Sequence, residues 1–452
     1  RYELGRDQGS LQEWKALMRQ EAHNYLTVSL TYREAGLCED SLDILDNCPE
    51  KSPLVFYCKG GLLLKLGKAG EAAAAFRQGE NACPDYCFPT QLEELEILEE
   101  AIRVLGTAPM AHYYLGCLLY DKKRCQEAAG HWETAVQQRP DLAMAWRNLA
   151  IYRYNKEQNS SGAKEAMESA LALEPDHPRF LLEYDQLSAR LGISAKQRLA
   201  VLESHPGLVE QRDDLTLRQI MLWNREGRYQ EALDSLLSRR FHPWEGGEGK
   251  VSAQYRRALI HLAYQILEKD SPAKAVELLE QSLTYPENLG EGKLPNVPNN
   301  QAHYYLGKAW QMLGNFSKAN SYFRLAASGP QEPEVVRYYN DQPSDFLYYQ
   351  GLAYRALGQE EQAMGCFHRL CAFGERHLFD KAEIDFFAVS LPEIEMFQED
   401  LRSRNTRYCS YLRALGELGL GETEKASSLM DEARRSPAEE PDLDFSPPME
   451  LY

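Results

Sequence analysis

Long apolar runs are missing from this 452-residue sequence. No stretch approaches the ~20 consecutive apolar residues that a membrane-spanning helix needs, so neither a transmembrane helix nor a membrane partner is expected. The first residues also lack the basic segment and the apolar segment of a signal peptide. Because the chain begins with Arg1 rather than Met, we expect a processed chain or a fragment of a larger protein, with a cytoplasmic location.

Basic residues are in the minority. Lys and Arg number 50 against 68 Asp and Glu, which gives a formal net charge of −18 and a pI near 5.2. The sequence has no cluster of Lys and Arg of the size that follows a phosphate backbone. Since a chain of this charge repels polyanions, we predict that neither nucleic acid nor an anionic membrane is a partner.

Motifs that carry chemistry are missing as well. The ten cysteines lack the paired CxxC spacing of a zinc site, and we predict reduced thiols that pack as small apolar side chains. His23, His112 and His303 each lack a second histidine three or four residues away, so we interpret them as packing residues. With no nucleophile–base pair, metal motif or cofactor fingerprint, we predict no metal, no cofactor and no catalysis by this chain alone.

The sequence does contain repetition. The hexapeptide AHYYLG occurs at residues 111–116 and again at residues 302–307. Trp132 follows Gly116 by sixteen residues, and Phe323 follows Gly307 by the same distance. A small residue paired with an aromatic residue in this way predicts two antiparallel helices that cross closely at the glycine. Each copy is therefore expected to be a helical hairpin.

Further copies of this pattern recur at a period of roughly 34 residues, and about nine or ten units fit the chain, with residues 178–205 degenerate. The pattern resembles the tetratricopeptide repeat family over most of the chain. The resemblance implies an all-α fold, a right-handed superhelical solenoid whose concave face binds a protein or peptide. First-helix side chains that either contribute to that face or pack between helices are Tyr113, Tyr120, Arg147, Tyr154, Tyr304 and Tyr348.

The pattern also predicts the order of segments along the chain. We expect a leading segment at 1–20, repeat units at 21–86, an inserted acidic helix at 87–108, repeat units with glycine-rich loops at 109–377, an aromatic-rich embellishment at 378–405, a terminal hairpin at 406–435 and an acidic, proline-rich tail at 436–452.

Two loops within the repeat units are similar to each other. The first glycine loop is HPWEGGEGK at 242–250, and the second glycine loop is YPENLGEGK at 285–293. Neither meets the GxxxxGK[ST] spacing of a phosphate loop. Their glycines indicate unusual backbone conformations, so we expect the loops to lie side by side, with Glu248 or Glu291 accepting hydrogen bonds. The loops either bridge hairpins or form a ligand site, for which the candidate residues are Trp244, covering the pair, and Glu248, Lys250, Glu291 and Lys293.

A narrower resemblance rests on PWEGGEGK, YPENLGEGKL, AWRNLA and DFFAVSLP together. These motifs are similar to the C-terminal repeat region of large bacterial proteins with a β-rich N-terminal domain of unassigned function. The resemblance implies an interaction scaffold whose partner is a protein, a peptide or that N-terminal domain. The alternative is an accessory domain of a carbohydrate-active enzyme, which binds carbohydrate through the N-terminal domain. In that case the loops contribute a carboxylate, from Glu245, Glu248, Glu287 or Glu291.

Overall fold

The computed structural model describes residues 8–244, 246–295, 297–333, 344–381 and 396–435. Within these ranges the chain forms α-helices and one short 3-10 helix, and no β-strand. The all-α prediction is therefore confirmed. No helix in the same ranges is both long enough and apolar enough to cross a membrane. The chain divides into two compact units, Arg1–Pro175 and Asp176–Tyr452.

The first unit contains ten helices within its described residues. They are α1 (Gln8–Leu17), α2 (Ala22–Glu34), α3 (Cys38–Asp46), α4 (Pro53–Lys65), α5 (Ala69–Asn81), α6 (Leu92–Leu105), α7 (Pro109–Asp121), α8 (Cys125–Gln138), α9 (Ala143–Asn155) and α10 (Ser160–Leu173).

The second unit contains thirteen α-helices within its described residues. They are α11 (Pro178–Arg190), α12 (Ala195–Glu203), α13 (Pro206–Val209), α14 (Asp213–Arg225), α15 (Tyr229–Ser238), α16 (Lys250–Leu267), α17 (Pro272–Gln281), α18 (Asn300–Met312), α19 (Phe316–Ala326), α20 (Phe346–Ala356), α21 (Glu360–His377), α22 (Leu401–Leu420) and α23 (Thr423–Arg435), with the 3-10 helix at Glu287–Leu289.

Glycines lie where the two helices of a hairpin cross. A Cβ atom added to Gly116 would lie 2.5 Å from Nε1 of Trp132, and one added to Gly307 would lie 2.4 Å from the ring of Phe323. Real Cβ atoms do not approach other atoms so closely, so any side chain here would force the aromatic ring away. The predicted crossings are confirmed, and the same sixteen-residue pairing recurs at Gly60 with Phe76 and Gly351 with Phe367.

The residue seven positions after the crossing glycine lies in the turn between the two helices and has a left-handed backbone conformation. After Gly307 this residue is Gly314, with φ +73°. After Gly116 the same place is taken by Lys123, with φ +66°. Glycine adopts this conformation without the steric cost of a Cβ atom, so Lys123 holds backbone strain that the equivalent glycine avoids.

The degenerate stretch 178–205 also contains a helical pair, α11 and α12. Its left-handed turn residue is Gly192, with φ +72°. Seven residues before it stands Asp185, which therefore occupies the crossing position of this pair. A buried carboxylate in place of glycine explains why the repeat pattern is hard to recognise here.

The acidic helix α6 lies between repeat units and packs against α4, α5 and α7. It begins with a capping box, in which Oε2 of Glu94 accepts hydrogen bonds from the backbone N–H groups of Thr90 and Gln91 at 2.7 and 2.9 Å. Arg33 of α2 donates to Glu96 of α6 at 2.6 Å. Half of the aromatic-rich segment predicted at 378–405 (382–395), the tail at 436–452 and residues 1–7 lie outside the described residues.

Candidate functional site

The two glycine loops lie side by side in the second unit. The backbone N–H of Phe241, which precedes the first loop, donates to the carbonyl of Asn288 in the second loop at 2.7 Å. Glu291 accepts hydrogen bonds from the backbone N–H groups of Gly249 at 2.7 Å and Ser252 at 2.9 Å. The predicted convergence of the loops is therefore confirmed, with Glu291 as the hydrogen-bond acceptor.

Three glycines of the loops adopt the left-handed conformation, and the first of them is Gly246, with φ +78°. Gly249 has φ +76° and is the N-cap residue of α16. Gly290 has φ +80°, and a Cβ atom on it would lie 2.5 Å from the carbonyl oxygen of Phe241. Gly247 is needed for a different reason, because an added Cβ would lie 2.2 Å from the indole of Trp244. The prediction is wrong for Gly292, whose Cβ would meet open space at an ordinary φ.

The Glu291 carboxylate caps helix α16. Both of its oxygens are bound by N–H groups in the first turn of that helix, where the helix dipole also favours a negative charge. Asn288 caps the C-terminal end of the preceding helix as a donor, since its side-chain amide donates to the carbonyls of Leu236 and Arg239 at 2.8 Å each. The second loop thus fixes the end of α15 and the start of α16.

Lys293 holds the other end of this loop. Its Nζ donates to the carbonyl of Leu283 and to Oδ1 of Asn299, both at 2.7 Å, and lies 5.5 Å from the centre of the Tyr285 ring. Burial, reinforced by the positive charge of Arg256, lowers the pKa of Lys293 to about 8. These contacts join the residues after α17 to those before α18, so Lys293 and Glu291 both have structural partners.

The first loop contains two buried polar atoms with unused hydrogen-bonding capacity. Trp244 covers Gly247 and packs on the apolar core between α14, α15 and α16. Nε1 of Trp244 and Oε2 of Glu248 are buried, and neither has a hydrogen-bond partner among the described residues. Lys250 is the first, half-buried residue of α16. Glu287 is exposed at the start of the 3-10 helix, and Glu245 lies outside the described residues.

The six first-helix residues divide into two groups. Tyr304 is 7% exposed, and its ring lies among those of Tyr305, Phe323 and Tyr349. Tyr348 is 1% exposed and its ring lies 6.0 Å from that of Phe367. Tyr304 and Tyr348 are therefore core residues, and they are not part of a binding face.

The other four residues form a repeated face in the first unit. Tyr113 and Tyr120 lie on α7, while Arg147 and Tyr154 lie 34 residues further on at the equivalent places of α9. All four side chains are partly exposed. Between the two helices, the Asn148 side-chain amide contacts the sulfur of Cys117 at 3.6 Å. We call Tyr113, Tyr120, Arg147 and Tyr154 the tyrosine face.

Comparison with known families identifies two stretches of the chain. A family model described as tetratricopeptide repeat matches residues 113–178, and a second model of the same description matches residues 345–372. The chain contains tetratricopeptide repeats. Such repeats act as protein-interaction scaffolds through extended concave surfaces, and the fold is typically non-catalytic.

Solved structures of repeat proteins are similar at low identity. A tetratricopeptide repeat protein from Parabacteroides merdae is 14% identical, with 67% of this chain and 99% of that chain covered and a TM-score of 0.30. YrrB, described as a TPR protein with an unusual peptide-binding site, is 18% identical, with coverage of 42% and 92% and a TM-score of 0.32. MamA from Desulfovibrio magneticus RS-1 is 20% identical, with coverage of 42% and 97% and a TM-score of 0.26.

Sequence reasoning missed a buried ion network in the second unit. Asp185 of α11 accepts two hydrogen bonds from Arg198 of α12, both at 2.8 Å, and one from Arg218 of α14 at 2.7 Å. Burial alone would raise the pKa of the Asp185 carboxyl, but the charges and hydrogen bonds of Arg218 and Arg198 together lower it below its usual range. The spacing of charged residues in the sequence gave no signal for this network.

Sequence reasoning also missed a pair of histidines in the repeat hairpin of α7 and α8. Nδ1 of His112 lies 2.8 Å from Nδ1 of His131. A search for a partner three or four residues away cannot find this pair, because the two residues are nineteen apart on antiparallel helices. The signal that would have revealed it is the hairpin register, which aligns position 112 with position 131.

The ten cysteines are all free thiols, and Cys58, Cys87, Cys366, Cys371 and Cys409 are buried. Among the described residues no three His, Cys, Asp or Glu side chains are grouped as a metal site. A cleft of about 590 Å³ lies in the first unit between the ends of α5, α6 and α8 and the start of α7. None of the predicted site residues lines this cleft.

Proposed function

We propose that this chain is a scaffold for protein–protein or interdomain interaction, and that the tyrosine face receives the partner. The observation that carries the proposal is the repetition of partly exposed Tyr and Arg side chains at a spacing of 34 residues on α7 and α9. Tyr and Arg offer a large contact area together with polar groups, which suits the energetically dominant positions of an interface. We assign no catalytic step to the chain itself.

The test is capture of a partner from the source cells with the chain as bait. Tyr120→Ala and Arg147→Glu are expected to reduce the amount of a specific partner by about tenfold each, because truncating such interface residues costs more than 1 kcal/mol. Arg103→Glu is the matched control, since it makes the same charge change on α6 at a side chain that is 73% exposed. Equal capture by all four proteins would refute the assignment of this face.

The wider context also belongs to the proposal. We propose that the chain is the helical half of a larger bacterial protein, with the N-terminal domain of the same polypeptide as a partner, and that it resides in the cytoplasm. The narrower motif resemblance supports the first point, and the ten free thiols support a reducing compartment. Sequencing the coding region upstream of Arg1 tests the first point, and fractionation of the source cells tests the second.

A second candidate function is accessory binding of carbohydrate at the first glycine loop. It is favoured by Nε1 of Trp244 and Oε2 of Glu248, a buried donor and a buried acceptor that have no hydrogen-bond partner within the described part of the chain. Glu291 does not support it, because both of its oxygens already cap α16. Glu248→Gln and Lys293→Met in the full-length protein provide the test. Unchanged ligand affinity in both variants would leave the loops with a structural role alone.

A further inference from the structure

The two histidines of the α7–α8 hairpin face each other through one ring nitrogen each. Their Nδ1 atoms are 2.8 Å apart and their ring centres are 5.1 Å apart. The difference between these distances, 2.3 Å, is twice the radius of an imidazole ring. Both nitrogens therefore lie on the line that joins the ring centres, which is the geometry of a linear N–H···N hydrogen bond.

A hydrogen bond of this kind accommodates only one proton between the nitrogens. One Nδ1 donates its N–H and the other must accept with its lone pair, so at least one ring has to be neutral. If both rings were protonated, two N–H groups and two positive charges would face each other at 2.8 Å. His112 is 9% exposed and His131 is half-buried, so water cannot fully solvate these charges in place.

Burial and neighbouring charges act on the pair in opposite directions. Burial, and then the charge of His131, lower the pKa of His112 to about 4. Burial also lowers the pKa of His131, while Glu99 of α6 and Glu127 of α8 partly oppose this effect and Arg124 adds to it. The two carboxylates therefore favour the first proton on His131.

Charged residues on the other packed helices already have partners. On α5, the carboxylate of Glu80 accepts from the backbone N–H groups of Met110 and Ala111 at 2.9 and 2.8 Å. On α9, Arg153 forms an ion pair with Glu133 of α8 at 3.6 Å. Among the described residues, no carboxylate raises the pKa of His112, so a second proton on the pair would have no counter-charge there.

The histidine pair is linked directly to the tyrosine face. Tyr113 follows His112 in the chain, and Trp132 follows His131. Nε1 of Trp132 donates to the carbonyl of Tyr113 at 3.2 Å, and its ring lies 5.4 Å from that of Tyr120. Separation of the two imidazoles therefore acts on the same helix crossing that positions Tyr113 and Tyr120.

We propose that the His112–His131 contact is an acid-sensitive latch, which closes the α7–α8 hairpin at neutral pH and opens it between pH 6 and pH 5. Only the consequence for partner binding rests on the proposed function of the tyrosine face. The opening itself is a property of the hairpin and is measured without a partner.

The chain provides matched replacements for both histidines. In the second copy of AHYYLG, His303 and Tyr322 occupy the places of His112 and His131, with ring centres 6.2 Å apart. In the hairpin of α20 and α21, Leu347 takes the place of His112. His131→Tyr and His112→Leu therefore each introduce a side chain that another repeat of this chain already packs at that position, and each removes one titratable ring.

The experiment is amide hydrogen exchange of α7 and α8 in the full chain at several pH values, corrected for the intrinsic exchange rate. In the wild type the opening constant is expected to rise more than tenfold between pH 6 and pH 5, because the two free rings of the open state bind nearly two protons while the closed pair holds at most one. In His131→Tyr and in His112→Leu the rise is expected to stay below about tenfold, since one ring remains. The second variant decides the test if the first fails to fold.

Equal pH dependence of the wild type and the folded variants would overturn the latch. That result would leave the tyrosine face untouched, because the measurement involves no partner. If Tyr120→Ala loses partner capture while its opening constant still rises at low pH, both proposals are supported. If Tyr120→Ala still captures the partner and its opening constant still rises at low pH, only the assignment of the binding face is refuted.

Discussion

A methyl group at Gly116 would test the helix crossing more sharply than any larger change. The added Cβ of Gly116→Ala would lie 2.5 and 2.6 Å from Nε1 and Cδ1 of Trp132 and 3.0 Å from the carbonyl oxygen of Ala128. The indole must retreat by about 1 Å to reach the ordinary carbon separation of about 3.5–4.0 Å. It is held by its hydrogen bond to the Tyr113 carbonyl, so the helices α7 and α8 have to move apart.

Gly130→Ala is the matched control in the same hairpin. Gly130 lies within α8, and a Cβ atom there meets nothing within 4 Å. Both substitutions gain helix propensity, worth up to about 1 kcal/mol, so the difference between them isolates the steric cost. We expect Gly116→Ala to be less stable than Gly130→Ala by about 1–3 kcal/mol, the usual cost of overpacking.

Amide hydrogen exchange of α7 and α8 is the suitable assay, because a chain with two compact units does not have a single free energy of unfolding. Protection in α7 and α8 should fall in Gly116→Ala and rise slightly in Gly130→Ala. Equal protection in the two variants would refute the assignment of Gly116 as a crossing residue.

Three further substitutions test other contacts. For each of them, unfolding in urea is measured by amide hydrogen exchange. Glu291→Gln should destabilise the first turn of α16 by about 1.5–3 kcal/mol through loss of a charged cap, whereas Glu287→Gln in the same loop should change stability by less than about 0.5 kcal/mol. Asp185→Asn should cost about 3–5 kcal/mol at pH 7, because Arg198 and Arg218 lose their buried counter-charge. Since the folded pKa of Asp185 lies below the unfolded value, this difference should be complete above about pH 4 and vanish as the pH falls through the folded pKa. Lys123→Gly should stabilise the α7–α8 turn by about 1 kcal/mol, and no gain would contradict the strain assigned to its φ of +66°.

The hairpins could be predicted because their determinants are local. A glycine and an aromatic residue sixteen positions apart specify a close helix crossing without reference to the rest of the chain, as Gly116 with Trp132 and Gly307 with Phe323 show. The convergence of the glycine loops was also predictable, because two similar loops follow consecutive hairpins. Which carboxylate would act as the cap was not, since Glu291 binds N–H groups 42 and 39 residues earlier in the chain.

The charged crossing at Asp185 shows why a repeat can be missed. A carboxylate at a buried crossing position violates the pattern of small residues, and taken alone it would be costly to bury. It is accommodated because Arg198 and Arg218 reach it from two other helices, an arrangement that depends on the fold and has no fixed spacing in the sequence. The turn residue Gly192 was the remaining local sign that a hairpin was present.

The two copies of AHYYLG explain why the binding face could be predicted only in part. Tyr113 and Tyr304 occupy the same place in the hexapeptide, but Tyr113 is partly exposed and Tyr304 is 7% exposed. The difference arises on the next first helix. Tyr349, two residues before the crossing Gly351, places its ring 6.3 Å from that of Tyr304, whereas the equivalent place of α9 holds the smaller Asn148. Exposure of a repeat's tyrosine is thus determined by the following repeat, so a binding face has to be inferred from pairs of neighbouring units.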